Sequence, residues 1–171
     1  MIVRSELEED RSPIRELNRL VFGGDDEADL VDRLRHERRV ELSLVCVIGG
    51  QIVGHVLFSD LEAEIDGRQL KALALAPMAV VPMRQRQGIG TRLLRESMLR
   101  LERGEYEALI VLGHETYYLR FGFSADLARK LVSPFESDAF MALELKPGAL
   151  EGAKGAVVYS PAFGLDHPLV S

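Results

Sequence analysis

The stretch RQRQGIGTRLL, residues 84–94, sets Arg84, Gln85, Arg86 and Gln87 ahead of Gly88-Ile89-Gly90 and then changes to an apolar helical pattern. Backbone N–H groups at the start of a helix have no partner inside it, and the helix dipole adds partial positive charge there. Gly88 and Gly90 put no Cβ in the way of an approaching oxygen, while Arg84 and Arg86 strengthen the field. The chemistry open to such a stretch is the holding of a phosphate group. There is no Gly-Lys-Ser/Thr, so the lysine and hydroxyl of a nucleotide-hydrolysing loop are missing. Leu93 stands where a dinucleotide fingerprint has its third glycine. A plain turn, or a glycine-rich helix start that binds nothing, is the competing reading of these residues taken alone.

Other reactive side chains are sparse. Cys46 is the single cysteine, set among Leu44, Val45 and Val47, so it reads as a small buried residue and excludes an internal disulfide. His55 follows Gly54 in a strand-like run and reads as a packed or edge residue. No Asp, His and Glu grouping has metal-ligand spacing, and no metal is expected.

The elements that must carry the cradle follow from the periodicity. Residues 12–22, SPIRELNRLVF, predict a helix with Ser12 as N-cap, Pro13 in the first turn and Ile14, Leu17 and Val21 on one face. Leu30, Val31 and Leu34 mark a second helix to about Arg38, with Asp25–Glu27 at its positive end. LSLVCVI, IVGHVLF and LKALALAPMAVV then read as three antiparallel strands joined at GGQ (49–51) and DGRQ (66–69). A helix from about Gln87 to Arg103 and the apolar run ALIVLG (108–113) complete a βαβ unit whose outer strands should be parallel neighbours. TYYLRF predicts a short helix, and strands follow near FMALEL and GAVVYS, with Phe58, Phe121 and Phe123 in the core.

At 171 residues the chain suits a single mixed α/β domain over 1–171. The net charge of −6 argues against nucleic-acid binding and is compatible with cationic small-molecule or protein-amine substrates. No signal-like or membrane-spanning apolar run is present, so a cytoplasmic location is the expectation.

The order of these features resembles the GNAT superfamily of acyl-CoA-dependent N-acyltransferases. Gln85, Gly88 and Gly90 fill the family's Gln/Arg-x-x-Gly-x-Gly/Ala cradle, LAPMAVVP (75–82) looks like its fourth strand, and YYLRFGF (117–123) looks like its short helix ending in Gly-Phe. With FMALELKPGAL the wording is similar to a bacterial subgroup of predicted N-acetyltransferases. The resemblance implies a mixed sheet of about six to seven strands with flanking helices and a splay between the fourth and fifth.

It also implies acetyl-CoA as acyl donor and an amine, small molecule or protein, as acceptor. The diphosphate would lie on the loop amides of Arg86, Gln87, Gly88, Ile89, Gly90 and Thr91, with Gln85 completing the motif. The pantetheine arm would run along Met78, Ala79 and Val80, and the N–H near Val80 would polarise the thioester carbonyl. Pro77 is consistent with irregular pairing there, or simply with a strand edge. Tyr118 matches the family's general acid, with Tyr117 as the alternative. Some relatives carry a glutamate on the fourth strand; residues 70–81 contain no carboxylate or histidine. His114 and Glu115 are therefore the candidates to accept the amine's proton, directly or through water, against a solvent-facing or helix-capping role or a water chain with no dedicated base. GGDDEAD (23–29) is either an acidic lip for the amine or capping and dipole matching. A non-catalytic acyl-CoA sensor and a partner-binding protein with a vacant cradle are the other readings; the acceptor, the acyl chain and self-association, a homodimer included, stay open.

Overall fold

The structure, a computed structural model, describes residues 1–135 and 137–165. In chain order it has β1 (Ile2–Ser5), a 3-10 turn (Glu8–Asp10), α1 (Arg11–Phe22), α2 (Asp26–His36), β2 (Val40–Ile48), β3 (Gln51–Ile65) and β4 (Arg68–Val80). After these come α3 (Ile89–Glu102), β5 (Ala108–Leu112), α4 (Glu115–Tyr118), α5 (Ala125–Ala128), β6 (Leu131–Val132), β7 (Phe140–Glu144) and β8 (Gly155–Val158). The fold is mixed α/β, with sheet order β1-β2-β3-β4-β5-β7 and with β8 pairing both β3 and β6. The described residues thus form eight strands rather than six or seven. The additions are β1 and β6, four and two residues long, too short to show a period in sequence.

Two hairpin turns set the meander. Gly49 and Gly50 have φ of 57° and 76°, and Asp66 and Gly67 have 49° and 82°. Positive φ at both central positions gives the two-residue turn whose twist matches that of its strands.

Contacts group the chain into two units, Met1–Ser59 with Ala76–Arg103, and Asp60–Leu75 with Gly104–Ser171, so β3 and β4 contribute to each. In the first, β1 and β2 pair antiparallel, as do β2 and β3, and α3 packs on β1 and β2. α1 buries Ile14 and Leu17, α2 buries Val31 and Leu34, and α3 buries Ile89, Leu93, Leu94 and Leu101. Ser12 is not the cap of α1. The preceding 3-10 turn runs straight into the helix at Asp10, whose carboxylate is taken by Arg4 (2.6 and 3.1 Å) and the Leu7 N–H (2.7 Å). Two of the GGDDEAD acids pair with α1: Arg15 reaches Asp29 at 2.8 Å and Arg19 reaches Asp25 at 2.7 Å, and Arg15 also reaches Asp32 of α2 at 2.8 Å.

In the second unit, β4 and β5 pair in parallel from Ala72–Ala108 to Leu75–Val111, as the βαβ reading requires, and β5 pairs antiparallel with β7. The ladder ends there although β4 continues to Val80, through a buried Pro77 that follows a cis peptide bond. Leu61, Ile65, Leu70, Ile110, Phe140 and Leu150 are central to this unit's core. Phe123 is buried as expected, whereas Phe121 is only half-buried, sharing the Arg120 guanidinium with Tyr117. No helix among the described residues is long and apolar enough to cross a membrane.

Candidate active site

The glycine-rich stretch connects β4 to α3 within the first unit. From Val81 the chain makes a 3-10 turn at Pro82–Arg84, Gln85 is extended, and Arg86 and Gly88 both take left-handed conformations, with φ of 63° and 84°. Gly88 is the residue before the helix, and a Cβ placed on it would meet nothing within 4 Å. Its glycine is required by backbone conformation, and the space beside it is open. The first helical bond of α3 runs from Arg92 N–H to Gly88 O at 3.0 Å, so the N–H groups of Ile89, Gly90 and Thr91 lie ahead of the ladder. Left-handed residues alternating with others turn successive N–H groups to one side and form an anion-binding concavity. A non-glycine residue at positive φ costs about 1–3 kcal/mol, a strain concentrated at ligand sites. No residue type in the sequence marks Arg86 for that conformation.

The two glutamines bind the loop itself. Gln85 Nε2 donates to Val80 O at 3.0 Å and Gln87 Nε2 to Met83 O at 3.2 Å. Residues 85–88 are exposed, Ile89 is buried, and Gly90 and Thr91 are half-buried. On the strand side Ala79 is buried and Met78 and Val80 are half-buried. The loop therefore offers main chain, with arginine charge around it.

Beneath the loop the residues set aside in sequence prove structural. Cys46 is a buried free thiol whose pKa burial pushes up. His55 is fully buried in a directed chain of hydrogen bonds. Asn18 Nδ2 faces His55 Nδ1 at 3.5 Å, His55 Nε2 faces Ser43 Oγ at 3.0 Å, and Ser43 donates to Glu6, which also accepts from Arg35 Nε at 2.9 Å. Because the Ser43 hydroxyl donates its proton's hydrogen bond to Glu6, His55 must donate through Nε2 and accept at Nδ1: it is neutral. Burial, with the Arg35 charge second, pushes its pKa down to about 3.

Tyr118, in the second unit, ends the single-turn helix α4. Its ring is buried, edge-on to Tyr117 (centroids 5.1 Å apart) and to Phe123 (5.6 Å). The ring lies against Gly113, where a side chain would overlap its Cε2 edge. Burial, then the neighbouring Tyr117, raises the phenol's pKa above its ordinary value, so the hydroxyl keeps its proton. His114 and Glu115 are exposed. The His114 side chain makes no cap bond; its carbonyl accepts from Tyr117 N (3.1 Å) and Tyr118 N (3.2 Å) and so starts the turn that carries the tyrosines.

Comparison with known proteins joins these features to a family. Residues 3–125 match the acetyltransferase (GNAT) domain. The chain is 34% identical over 166 residues to the uncharacterized N-acetyltransferase YhbS of Escherichia coli, covering 95% of this chain and 98% of that protein. The crystal structure of Escherichia coli YhbS in complex with CoA superposes with a TM-score of 0.87 at 33% identity, over 96% of this chain and 92% of that one. A GNAT family acetyltransferase from Brucella melitensis in complex with acetyl-CoA gives 0.77 at 31% identity, over 95% and 97%. The chain belongs to the GNAT acetyltransferase family.

Proposed function

We propose that residues 1–171 form one acyltransferase domain that uses acetyl-CoA to acetylate a primary amine by direct attack on the thioester. The observation that carries this reading is the left-handed pair Arg86 and Gly88 opening α3, with the N–H groups of Ile89, Gly90 and Thr91 ahead of the helical ladder. Free donors, a helix dipole and open space beside Gly88 fit a diphosphate. The relatives crystallised with CoA and acetyl-CoA support the same ligand.

In this reading acetyl-CoA supplies the activated acyl carbon, and the chain supplies grip, polarisation and a proton. The loop amides hold the diphosphate, with Arg84 and Arg86 adding charge. The backbone along Met78–Val80 orients the pantetheine arm, and the Val80 N–H stabilises charge developing on the carbonyl oxygen. The Tyr118 hydroxyl protonates the departing sulfur. A thioester sulfur gains basicity only as the C–S bond breaks, so this transfer accompanies cleavage rather than preceding it. The phenolate, a stronger base than the thiolate, regains its proton from water before the next turnover. His114, with Glu115 beside it, takes the proton of the attacking amine directly or through water. The chain acts in the cytoplasm, where acetyl-CoA is available.

The test is titration with CoA by calorimetry, followed by a panel of amines with release of free thiol as readout. CoA binding with thiol release on at least one amine is the expected result. Binding without release on any amine would favour an acyl-CoA sensor, and absence of binding would remove the cradle reading altogether. Gly90→Glu, which sets a carboxylate at the anion site, should weaken CoA binding by about 100-fold or more, since juxtaposed like charges cost several kcal/mol.

A further inference from the structure

The loop 81–89 is held at its two ends by consecutive residues of β3. At its start the Val81 N–H donates to Val53 O at 2.9 Å. At its end the first turn of α3 sits directly on Gly54: a Cβ there would lie 2.9 Å from Ile89 Cγ2 and 2.9 Å from Leu93 Cδ1. Gly54 is not among the residues with positive φ, so space, and not backbone conformation, demands the glycine. The strand cannot yield to a side chain, because the next residue, His55, is locked on the opposite face by Ser43 and Asn18. Leu93 Cδ1 is the free end of a side chain and can rotate away. Ile89 Cγ2 is one bond from Cβ on a β-branched residue with one strongly favoured helical rotamer. The element that moves is therefore the first turn of α3, with its free N–H groups.

We infer that Gly54 is a positioning residue for the anion cradle: its bare backbone sets how closely α3 approaches the sheet, and so where the N–H groups of Ile89, Gly90 and Thr91 point. The inference rests on the reading of this loop as the acetyl-CoA site. It assigns Gly54 no contact with the ligand.

The test compares Gly54→Ala in three backgrounds: wild type, Ile89→Leu and Ile89→Val. Leucine lacks the Cγ2 methyl but keeps the carbon count; valine retains that methyl. In wild type, Gly54→Ala should raise the acetyl-CoA KM and the CoA Kd about ten-fold or more, while kcat at saturating donor stays within about two-fold, because a shift of order an ångström misplaces the grip and not the acid. With Ile89→Leu the same change should cost less than about two-fold, and with Ile89→Val the full rise should return. A folded Gly54→Ala variant with unchanged KM overturns the inference, as does an equal rise in the leucine and valine backgrounds. If Gly54→Ala fails to fold alone, Gly54→Ala with Ile89→Leu decides: CoA affinity matching Ile89→Leu supports the inference, and a ten-fold loss overturns it. Failure of the wild-type protein to bind CoA would instead sink the ligand assignment. The amide NMR shifts of Ile89, Gly90 and Thr91 then judge Gly54, moving in Gly54→Ala if the seat is real and staying put if it is not.

Discussion

Replacing Gly113 with alanine drives a methyl group into the ring of Tyr118. The added carbon overlaps Cε2 and stands 3.1 Å from Cδ2 and 3.4 Å from Cζ. The ring has little room to retreat: it is 7% exposed and edge-on to both Tyr117 and Phe123. The backbone of Gly113 is held as well, its N–H donating to Ala139 O at 3.0 Å. Overpacking of this kind costs about 1–3 kcal/mol. For a chain of this length each kcal/mol lowers Tm by about 2–4 °C, so Gly113→Ala should melt roughly 2–12 °C below wild type. If Tyr118 is the acid, displacing its hydroxyl should also bring kcat down toward that of Tyr118→Phe, with little change in the acetyl-CoA KM. Calorimetry and free-thiol release measure the two effects separately. In the Tyr118→Phe background the alanine should lose its effect on kcat and keep its effect on Tm, because a phenylalanine ring fills the same space but carries no proton. Wild-type Tm in Gly113→Ala would refute the packing argument. An undiminished kcat loss in the Tyr118→Phe background would show that Gly113 acts by another route.

Tyr118→Phe should lower kcat by about 10²-fold or more, the range of a positioned general acid, and leave CoA affinity near wild type. Since burial raises the phenol's pKa, the wild-type kcat profile should show no alkaline fall from this group below about pH 10; an earlier limb that Tyr118→Phe abolishes would contradict the raised pKa. Gly88→Ala should cost about 1–2 kcal/mol, because its φ of 84° is strained for an L side chain while the space around it is open; Gly88→Asn should cost less in urea unfolding, and equal losses would argue against a conformational origin. His55 titrates at about 3 when folded against about 6.5 unfolded, so the unfolded chain binds the extra proton between those values and stability falls as pH drops through that window. The slope from this group is at most about 1.4 kcal/mol per pH unit, and His55→Gln should flatten it; parallel slopes between pH 7 and 5 would rule out a buried neutral histidine.

How much of this could be read from residues alone depended on whether the determinant was local. The hairpins were legible because Gly49-Gly50 and Asp66-Gly67 are residue types that accept positive φ. The crossover helix was legible from the spacing of Leu93, Leu94, Ser97 and Leu101, and with it the glycine-rich turn that opens the helix. Ser12 was a reasonable cap by type, but the true start is decided by Arg4 and Leu7, which capture Asp10 from a neighbouring segment. β1 and β6 were hidden because two to four residues carry no period. The conformation of Arg86 had no sequence mark, since arginine is an ordinary residue placed at an unusual φ by the loop around it. Gly54 and Gly113 did carry a signal, an isolated glycine in or beside a strand, but what each makes room for, Ile89 and Leu93 above Gly54 and the Tyr118 ring against Gly113, is set by how the chain packs.

In the proposed reading, the loop's ligand motif consists largely of residues that do not reach for the ligand. Gln85 and Gln87 donate back to the carbonyls of Val80, the last residue of β4, and Met83, in the loop's own 3-10 turn. Arg86 and Gly88 contribute backbone angles, and Gly54 contributes the absence of a side chain. The N–H groups of Ile89, Gly90 and Thr91 are what remains to meet an anion. Gln85 has the longer reach in mechanism. By fixing the Val80 carbonyl it restrains the residue whose N–H is proposed to polarise the thioester, so the strand end proposed to stabilise charge and the loop proposed to grip phosphate are tied by one 3.0 Å hydrogen bond. Removing a surrounding arginine would weaken an attraction already screened by solvent. Altering the glutamine or either glycine changes the direction in which the donors point, and pre-organised direction is what makes such donors effective.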